Sequence, residues 1–334
     1  MLRYHLKARE RLTLETDVPI PTPSQREVLV RVKACAVCNR SDLVYYYYLG
    51  RREHCAKGCF GHEIAGVVEE IGRDVTKVVP GDRVFIRTPL TSGFAEYALA
   101  KENAIGRLPD CIPFPHGAIL QLLPLMVNAT RIVSLGMRVL IVGQGPVGLM
   151  ALQVVRLRGA SHITVTDLDP WRLKVSAGYG ADETLHVREE PGQKRSEMVG
   201  LPEFDVAIDA VGTPHTVRTC MNAVRKSGHV ILLGTHHIDT HVTFDLIQFE
   251  KKALCIHSSA EATDYERAEA MKTAESLIHC GKINLQPLHT HTWPLRQLPE
   301  AITHLSENSI LFSPGENVSF QGPPPRTLKV VICP

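Results

Sequence analysis

The 334-residue chain is most informative first in what it lacks. It lacks an excess of charge: 37 Lys and Arg stand against 35 Asp and Glu, a formal net charge of +2. No global field therefore draws it to nucleic acid or to an anionic membrane, and a small neutral molecule is the expected partner. It lacks any window near the roughly 18 uninterrupted apolar residues of a membrane span. Its first residues, MLRYHLKARERL, lack the apolar core of a secretory leader, so the expected location is cytoplasmic. It lacks a disulfide framework, because nine cysteines (Cys35, Cys38, Cys55, Cys59, Cys111, Cys220, Cys255, Cys280 and Cys333) are scattered and odd in number. Reduced thiols, one of them on a metal, suit that pattern better. It also lacks internal repeats; the one biased tract, Tyr45 to Tyr48, reads as paving for a strand or a pocket wall.

What is present is enough chain for two cores. From Glu27 the run EVLVRVKACAV alternates apolar and polar residues, the period of a half-buried strand. IAGVVEEIG and DRVFIR follow, separated by the turn-forming Pro80-Gly81-Asp82, and then FAEYALA, a Gly-punctuated β region. Near Pro115 the character changes. Residues 117–135 are apolar and helix-compatible, with Pro124 either early in a helix or breaking it. Beyond them RVLIVG, GLMALQVVRLRG, HITVTD, WRLKVSAGYG, FDVAIDAVG and HVILLGT alternate between strand-like and helix-like or glycine-ended stretches, which predicts βαβ units and a parallel sheet. After ALCIHSS, the stretch DYERAEAMKTAESLIHCGKI has helical spacing and a C-cap glycine in Gly281. The Pro-rich segment 313–327, read as a surface loop, precedes a last apolar strand, KVVICP.

The strongest local signal is Val139 to Val142 followed by Gly143-Gln144-Gly145-Pro146-Val147-Gly148 and an apolar helical run. A strand before and a helix after is the context that gives this glycine pattern meaning. Gly143 permits the tight turn, Gly145 lets amides approach a pyrophosphate, and Gly148 allows close packing of helix on strand. Pro146 fits at a helix start, and Val147 lies within the same first turn, where unpaired amides favour phosphate. Asp167 ends the next strand, where an acid binds the adenosine ribose hydroxyls and repels a 2′-phosphate. NAD is therefore expected over NADP.

A second block, Gly61-His62-Glu63-Ile64-Ala65-Gly66, is followed by VVEEIGRDVTKVVPGDRV and GFAEYALA and preceded by EVLVRVKACAVC. In this order the sequence resembles the medium-chain dehydrogenase/reductase superfamily, whose zinc-dependent branch includes alcohol and sorbitol dehydrogenases. The resemblance runs from Glu27 to KVVICP and takes in Gly180-Ala181-Asp182 and Asp209-Ala210-Val211-Gly212. It implies an α/β fold, a Rossmann doubly wound parallel sheet inserted into a GroES-like β-rich catalytic domain. On that reading 1–117 is the first part of the catalytic domain, 118–257 the NAD-binding domain and 258–334 the return. Substrate is expected in the cleft between the domains, and a homodimer or homotetramer through the edge of the Rossmann sheet.

Carried over residue by residue, the resemblance makes Cys38 and His62 ligands of a catalytic zinc, with Glu63 the adjacent acid that also ligates in sorbitol dehydrogenase-like members. Three protein ligands and one open position are what catalytic zinc requires. Ser41 is the expected first relay hydroxyl, since Val44 stands where the family often has a relay histidine. Taken singly, Cys38 could be a buried apolar filler, His62 a hydrogen-bonded core histidine and Glu63 the partner of a buried arginine. The register is also open: counted back from Asp42, Asn39 takes the ligand position, and Asn39-Arg40-Ser41-Asp42 is similar to zinc-independent quinone reductases. Either Gln121 or Leu123 replaces the acid usual before Pro124. GDRVFIRTPLTSGFAEY has no cysteine-rich lobe, so no structural zinc is expected. His236, His237 and His241, like His289 and His291, are expected as loose histidines and not as a second metal site.

The expected activity is NAD-dependent interconversion of a secondary alcohol, in a polyol, sugar or cyclitol-like molecule, with a ketone, using catalytic zinc. The competing readings are a zinc-independent reductase of a quinone or activated double bond, and a catalytically silent NAD-binding protein.

Overall fold

Strand β3 (Glu27–Ala36) organises the first part of the chain. It follows a hairpin of β1 (Arg3–Ala8) and β2 (Arg11–Glu15). After it come α1 (Ser41–Tyr48), β4 (Glu63–Ile71), β5 (Arg83–Ile86), β6 (Tyr97–Lys101) and β7 (Ile105–Arg107). This computed structural model describes residues 1–48, 60–187, 203–234, 241–259, 263–307 and 326–334. In β3 only Arg31 and Lys33 are exposed, while Leu29 and Val30, neighbours in sequence, are both buried. The half-buried expectation therefore understates this strand, which lies inside the sheet between paired neighbours and has side chains buried on both faces. Tyr45 to Tyr48 form the second half of α1 and not a strand. The Tyr47 hydroxyl donates to Ser306 at 2.8 Å.

The apolar stretch after Pro115 becomes two short helices, α2 (Phe114–Ile119) and α3 (Leu122–Ala129). Pro124 is the third residue of α3, within the first turn, where its missing amide has no helical partner to lose. Then β8 (Arg138–Val142), α4 (Pro146–Leu157), β9 (His162–Asp167), α5 (Pro170–Gly178) and β10 (Glu183–His186) alternate. They are followed by β11 (Phe204–Asp209), α6 (Pro214–Ala223), β12 (Val224–Leu232), α7 (Leu246–Lys252) and β13 (Cys255–Ser258). The strands form one six-stranded, all-parallel sheet in the order β10-β9-β8-β11-β12-β13. The order runs outward in opposite senses from β8 and β11, which is a doubly wound sheet with its switch point between those strands. The central strands β8 and β11 are buried almost along their whole length, as parallel strands flanked by helices must be.

Helix α8 (Asp264–His279) is closed by Gly281, whose φ of +61° and amide to the Ile278 carbonyl at 3.0 Å make the expected left-handed cap. The chain then adds β14 (His289–Pro294), α9 (Leu298–Glu307) and β15 (Lys329–Cys333). β15 pairs parallel with β14 and antiparallel with β3, so the last strand completes the first sheet. One compact unit comprises Met1–Pro124 with Met271–Pro334, the other Leu125–Ala270. Both changeovers fall inside helices, α3 and α8, whereas the sequence reading put them at 117 and 257. His236 and His237 and most of the 313–327 segment lie outside the described residues.

Candidate active site

The register of β3 against β4 pairs Ala36 with Glu63. Cys38, two residues past the end of β3, is thereby brought beside His62 and Glu63 at the start of β4. One donor atom from each of these three residues lies within 4.8 Å of the others, the one such trio of metal-ligating side chains among the described residues. The loop is held by Asp42, a buried carboxylate in the first turn of α1. Its Oδ2 accepts the Cys38 amide at 2.8 Å and its Oδ1 the Gly61 amide at 2.9 Å, tying the two chain segments together. Oδ1 also faces His62 Nδ1 at 3.8 Å. Ser41 opens α1 and sends its backbone amide to Cys38 Sγ at 3.4 Å, a contact that favours the thiolate.

Two partners of this cluster come from the far end of the chain. Lys329, the first residue of β15, is buried and places Nζ 2.5 Å from Glu63 Oε1 and 3.3 Å from the Val37 carbonyl. A buried cation does pair with Glu63, then, but it is a lysine, and Glu63 Oε2 is left buried without a hydrogen-bond partner. Asn39 turns away: its Nδ2 donates to the Leu328 carbonyl at 2.7 Å. Of the two possible registers, the geometry thus groups Cys38, not Asn39, with the histidine and the acid. Gln121 is buried and donates to the Arg87 carbonyl at 3.0 Å.

Electrostatically the cluster is tightly coupled. Burial pushes the Cys38 thiol up, but its hydrogen bond to His62 and the charges of His62 and Lys329 outweigh that and bring it below the ordinary thiol value. Burial would lower His62; the Cys38 thiolate, Asp42 and Glu63 overcome it and raise the imidazolium to about 10. Desolvation raises Asp42 to about 6 against the pull of His62 and the two amides. A thiolate, an imidazole and a carboxylate oxygen lacking a partner form the N, S and O donor set of a catalytic zinc site with one position to spare. Such a cation would relieve the orphaned Glu63 Oε2 and replace the proton on His62. The residues fit the metal.

The second constellation belongs to the Rossmann unit. Gly143 follows β8 with φ +91°, and a Cβ there would sit 2.4 Å from Val211. Gly148 lies so close to the loop that a Cβ would meet the Gly143 carbonyl at 1.9 Å. Gly145 caps α4 without a side-chain bond; a Cβ on it would meet nothing nearer than Arg172 Nη1 at 3.9 Å. The face of Gly145 is therefore open, with Pro146 at N1 and the Val147 and Gly148 amides in the first turn of α4. Asp167 ends β9, its Oδ2 accepting the Gln144 amide at 2.6 Å and its Oδ1 the Asp169 amide at 2.8 Å. Gln144 is locked in turn by Ser176, whose hydroxyl donates to Oε1 at 2.9 Å.

Sequence reasoning did not select Lys329, Asp42, Arg172 or Gln144 as site residues. Asp42 stood in the family pattern as a register mark only. Arg172 lies 3.7 Å from Asp169 Oδ2 through a buried Nε that makes no hydrogen bond, and a cation two residues into α5 was the available signal. Lys329 carried a signal too, a charge opening an otherwise apolar terminal strand.

Comparison with known proteins agrees with both halves. Residues 24–110 match the alcohol dehydrogenase GroES-like domain and residues 146–276 the zinc-binding dehydrogenase family. The chain is 29% identical over 326 residues to sorbitol dehydrogenase of Homo sapiens, covering 85% of this chain and 87% of that one. It is 28% identical over 320 residues to L-idonate 5-dehydrogenase of Vitis vinifera, covering 83% and 84%. An alcohol dehydrogenase from Escherichia coli complexed with NADH superposes with a TM-score of 0.79 at 21% identity, over 100% of this chain and 99% of that one.

Proposed function

The chain belongs to the medium-chain dehydrogenase/reductase superfamily, in its zinc-type alcohol and polyol dehydrogenase branch, and from that membership we propose that it interconverts a secondary alcohol and a ketone with NAD and one catalytic zinc. In the oxidising direction the carbinol carbon loses a hydride to NAD+ and its hydroxyl loses a proton, leaving ketone, NADH and H+. The observation that carries the reading is the convergence of Cys38, His62 and Glu63 with one carboxylate oxygen unpaired. The relatives named for sorbitol and L-idonate support a polyol, sugar or cyclitol-like substrate.

When bound, zinc supplies the Lewis acidity that lowers the pKa of the substrate hydroxyl, and NAD+ takes the hydride. The chain's own residues do the rest. Cys38, His62 and Glu63 hold the metal. Asp42 orients two of them through the Cys38 and Gly61 amides and the facing His62 ring. Ser41 receives the departing proton and passes it toward solvent. In the other unit the open face of Gly145 and the first-turn amides of α4 receive the pyrophosphate, while Asp167 takes the ribose hydroxyls and disfavours a 2′-phosphate. The zinc-free alternative drew on Asn39 as the occupant of the ligand position, whereas it is Cys38 that lies beside His62 and Glu63, with the Asn39 Nδ2 donating to the Leu328 carbonyl.

We further read the protein as a homo-oligomer. β13 is the edge of the parallel sheet, and Ile256 on it, with Phe244, Leu246 and Ile247 nearby in the chain, is exposed. An unpaired edge with apolar neighbours is suited to self-association. Among the described residues no helix is long and apolar enough to cross a membrane. The seven cysteines among the described residues are unbridged, and we read the setting as reducing and cytoplasmic.

The test is metal content by mass spectrometry alongside NAD-linked oxidation of a panel of polyols. About one zinc per chain is expected, lost together with turnover in Cys38→Ser and His62→Ala. Protein that oxidises the same substrates without metal would overturn the mechanism.

A further inference from the structure

We propose that Lys329 is a positioning residue that restricts Glu63 to a single metal-binding oxygen and so keeps one coordination position of the catalytic zinc open. The inference rests on the zinc reading above. A carboxylate can ligate through one oxygen or both. Beside Cys38 and His62, a two-oxygen Glu63 would complete four protein donors and close the position that substrate needs.

The structure gives the two oxygens different partners. Oε1 is held by the Lys329 ammonium at 2.5 Å, whereas Oε2 is buried with no hydrogen-bond partner. A charge-assisted bond of this length in a buried setting is the strong kind. Withdrawing Oε1 toward a metal would strand an ammonium that otherwise reaches only the Val37 carbonyl at 3.3 Å among its assigned contacts. Breaking one side of a buried pair is costly because it leaves the other charge uncompensated.

Lys329 also has little freedom to follow. β15 pairs with β14 on one side and with β3 on the other, and the Val37 amide donates to Val330 at 2.8 Å, immediately beside the lysine. The ammonium is thus fixed relative to the strand end that delivers Cys38. Its positive charge also makes Glu63 a weaker donor, which leaves a bound cation more electrophilic.

The experiment uses the full-length chain loaded with Co2+ in place of zinc, as wild type, Lys329→Met and Lys329→Arg. Visible ligand-field bands distinguish four- from five-coordinate cobalt, a sulfur-to-cobalt band reports Cys38, and azide probes the open position. Wild type and Lys329→Arg are expected to give intense four-coordinate bands that shift with azide. Lys329→Met, with all four positions filled by protein donors, is expected to keep four-coordinate bands at shifted positions, to lose the azide response, and to hold zinc at least tenfold more tightly in chelator competition. A Lys329→Met spectrum that matches wild type and shifts equally with azide would overturn the inference while leaving the zinc reading intact. So would wild-type cobalt that is unresponsive to azide, a result that needs no variant to fold. Wild type that shows no sulfur-to-cobalt band would remove the zinc reading and this inference together.

Discussion

The Asp167 carboxylate accepts the backbone amide of Gln144 at 2.6 Å, joining the end of β9 to the glycine loop that follows β8. The acid proposed to read the ribose is therefore also a strut of the phosphate loop, and its two roles separate under substitution. Asp167→Asn keeps one acceptor oxygen but removes the charge that opposes a 2′-phosphate. The ratio of kcat/KM for NAD+ over NADP+ is expected to fall by at least roughly tenfold, and stability by about 1–3 kcal/mol for the lost acceptor. An unchanged cofactor ratio would remove Asp167 from the ribose site.

Two glycines of the same loop predict opposite outcomes. Gly145→Ala adds a methyl that meets only Arg172 Nη1 at 3.9 Å, so the fold is kept while the new methyl occupies the face offered to the pyrophosphate. NAD+ affinity is expected to fall at least tenfold with little change in Tm. Gly148→Ala drives a Cβ to 1.9 Å from the Gly143 carbonyl and is expected to cost about 3 kcal/mol of stability. Calorimetric titration and thermal unfolding distinguish the pair; a Gly145→Ala protein that binds NAD+ normally would place the pyrophosphate elsewhere.

Acid sensitivity is expected from Asp182. Some burial raises its pKa, but hydrogen bonds from the Arg156 guanidinium at 2.5 Å and the Ile163 amide at 2.7 Å hold it below the ordinary aspartate value. The folded state thus binds this proton more weakly than the unfolded chain does. The stabilisation is full above the ordinary value near pH 4 and is lost as pH falls through the lower folded value. The pair is partly exposed, so the contribution is below about 1 kcal/mol. Asp182→Asn should flatten this part of the acid limb in a Tm-against-pH series; a limb of unchanged slope would assign acid loss to other carboxylates.

Self-association is checked at β13. Ile256→Lys puts a charge on the exposed edge of the sheet, 39% of the isoleucine being accessible in the isolated chain. Sedimentation velocity is expected to show wild type as a dimer or tetramer and the variant shifted toward monomer. A wild type that sediments as a monomer at micromolar concentration would end the proposal.

How much was readable in advance depended on how local the encoding was. The alternation from RVLIVG to HVILLGT predicted the parallel sheet because burial between helix layers imposes continuous apolar strands, a demand each segment meets by itself. The glycine spacing of 143, 145 and 148 predicted the loop for a similar reason: left-handed backbone and close approach are tests that one residue passes or fails alone. Burial of β3 was understated because what packs over a strand's second face is not written in the strand's own period. Of the two expectations for Tyr45 to Tyr48 the strand failed, because aromatic content alone does not fix the backbone and these residues continue the helix that opens at Ser41 and Asp42.

By itself, then, the amino-acid sequence determined the two-unit α/β plan, the nucleotide loop and the histidine and acid at the start of β4, since each is a short pattern with its own physical requirement. Only the tertiary structure shows that Cys38 stands with His62 and Glu63 while the Asn39 amide nitrogen donates to the Leu328 carbonyl. Only it paired Lys329 with Glu63, which lie 266 positions apart. No local periodicity encodes such a contact. It exists because β15 returns to β3, and a lysine buried at that junction is stable only where a carboxylate meets it.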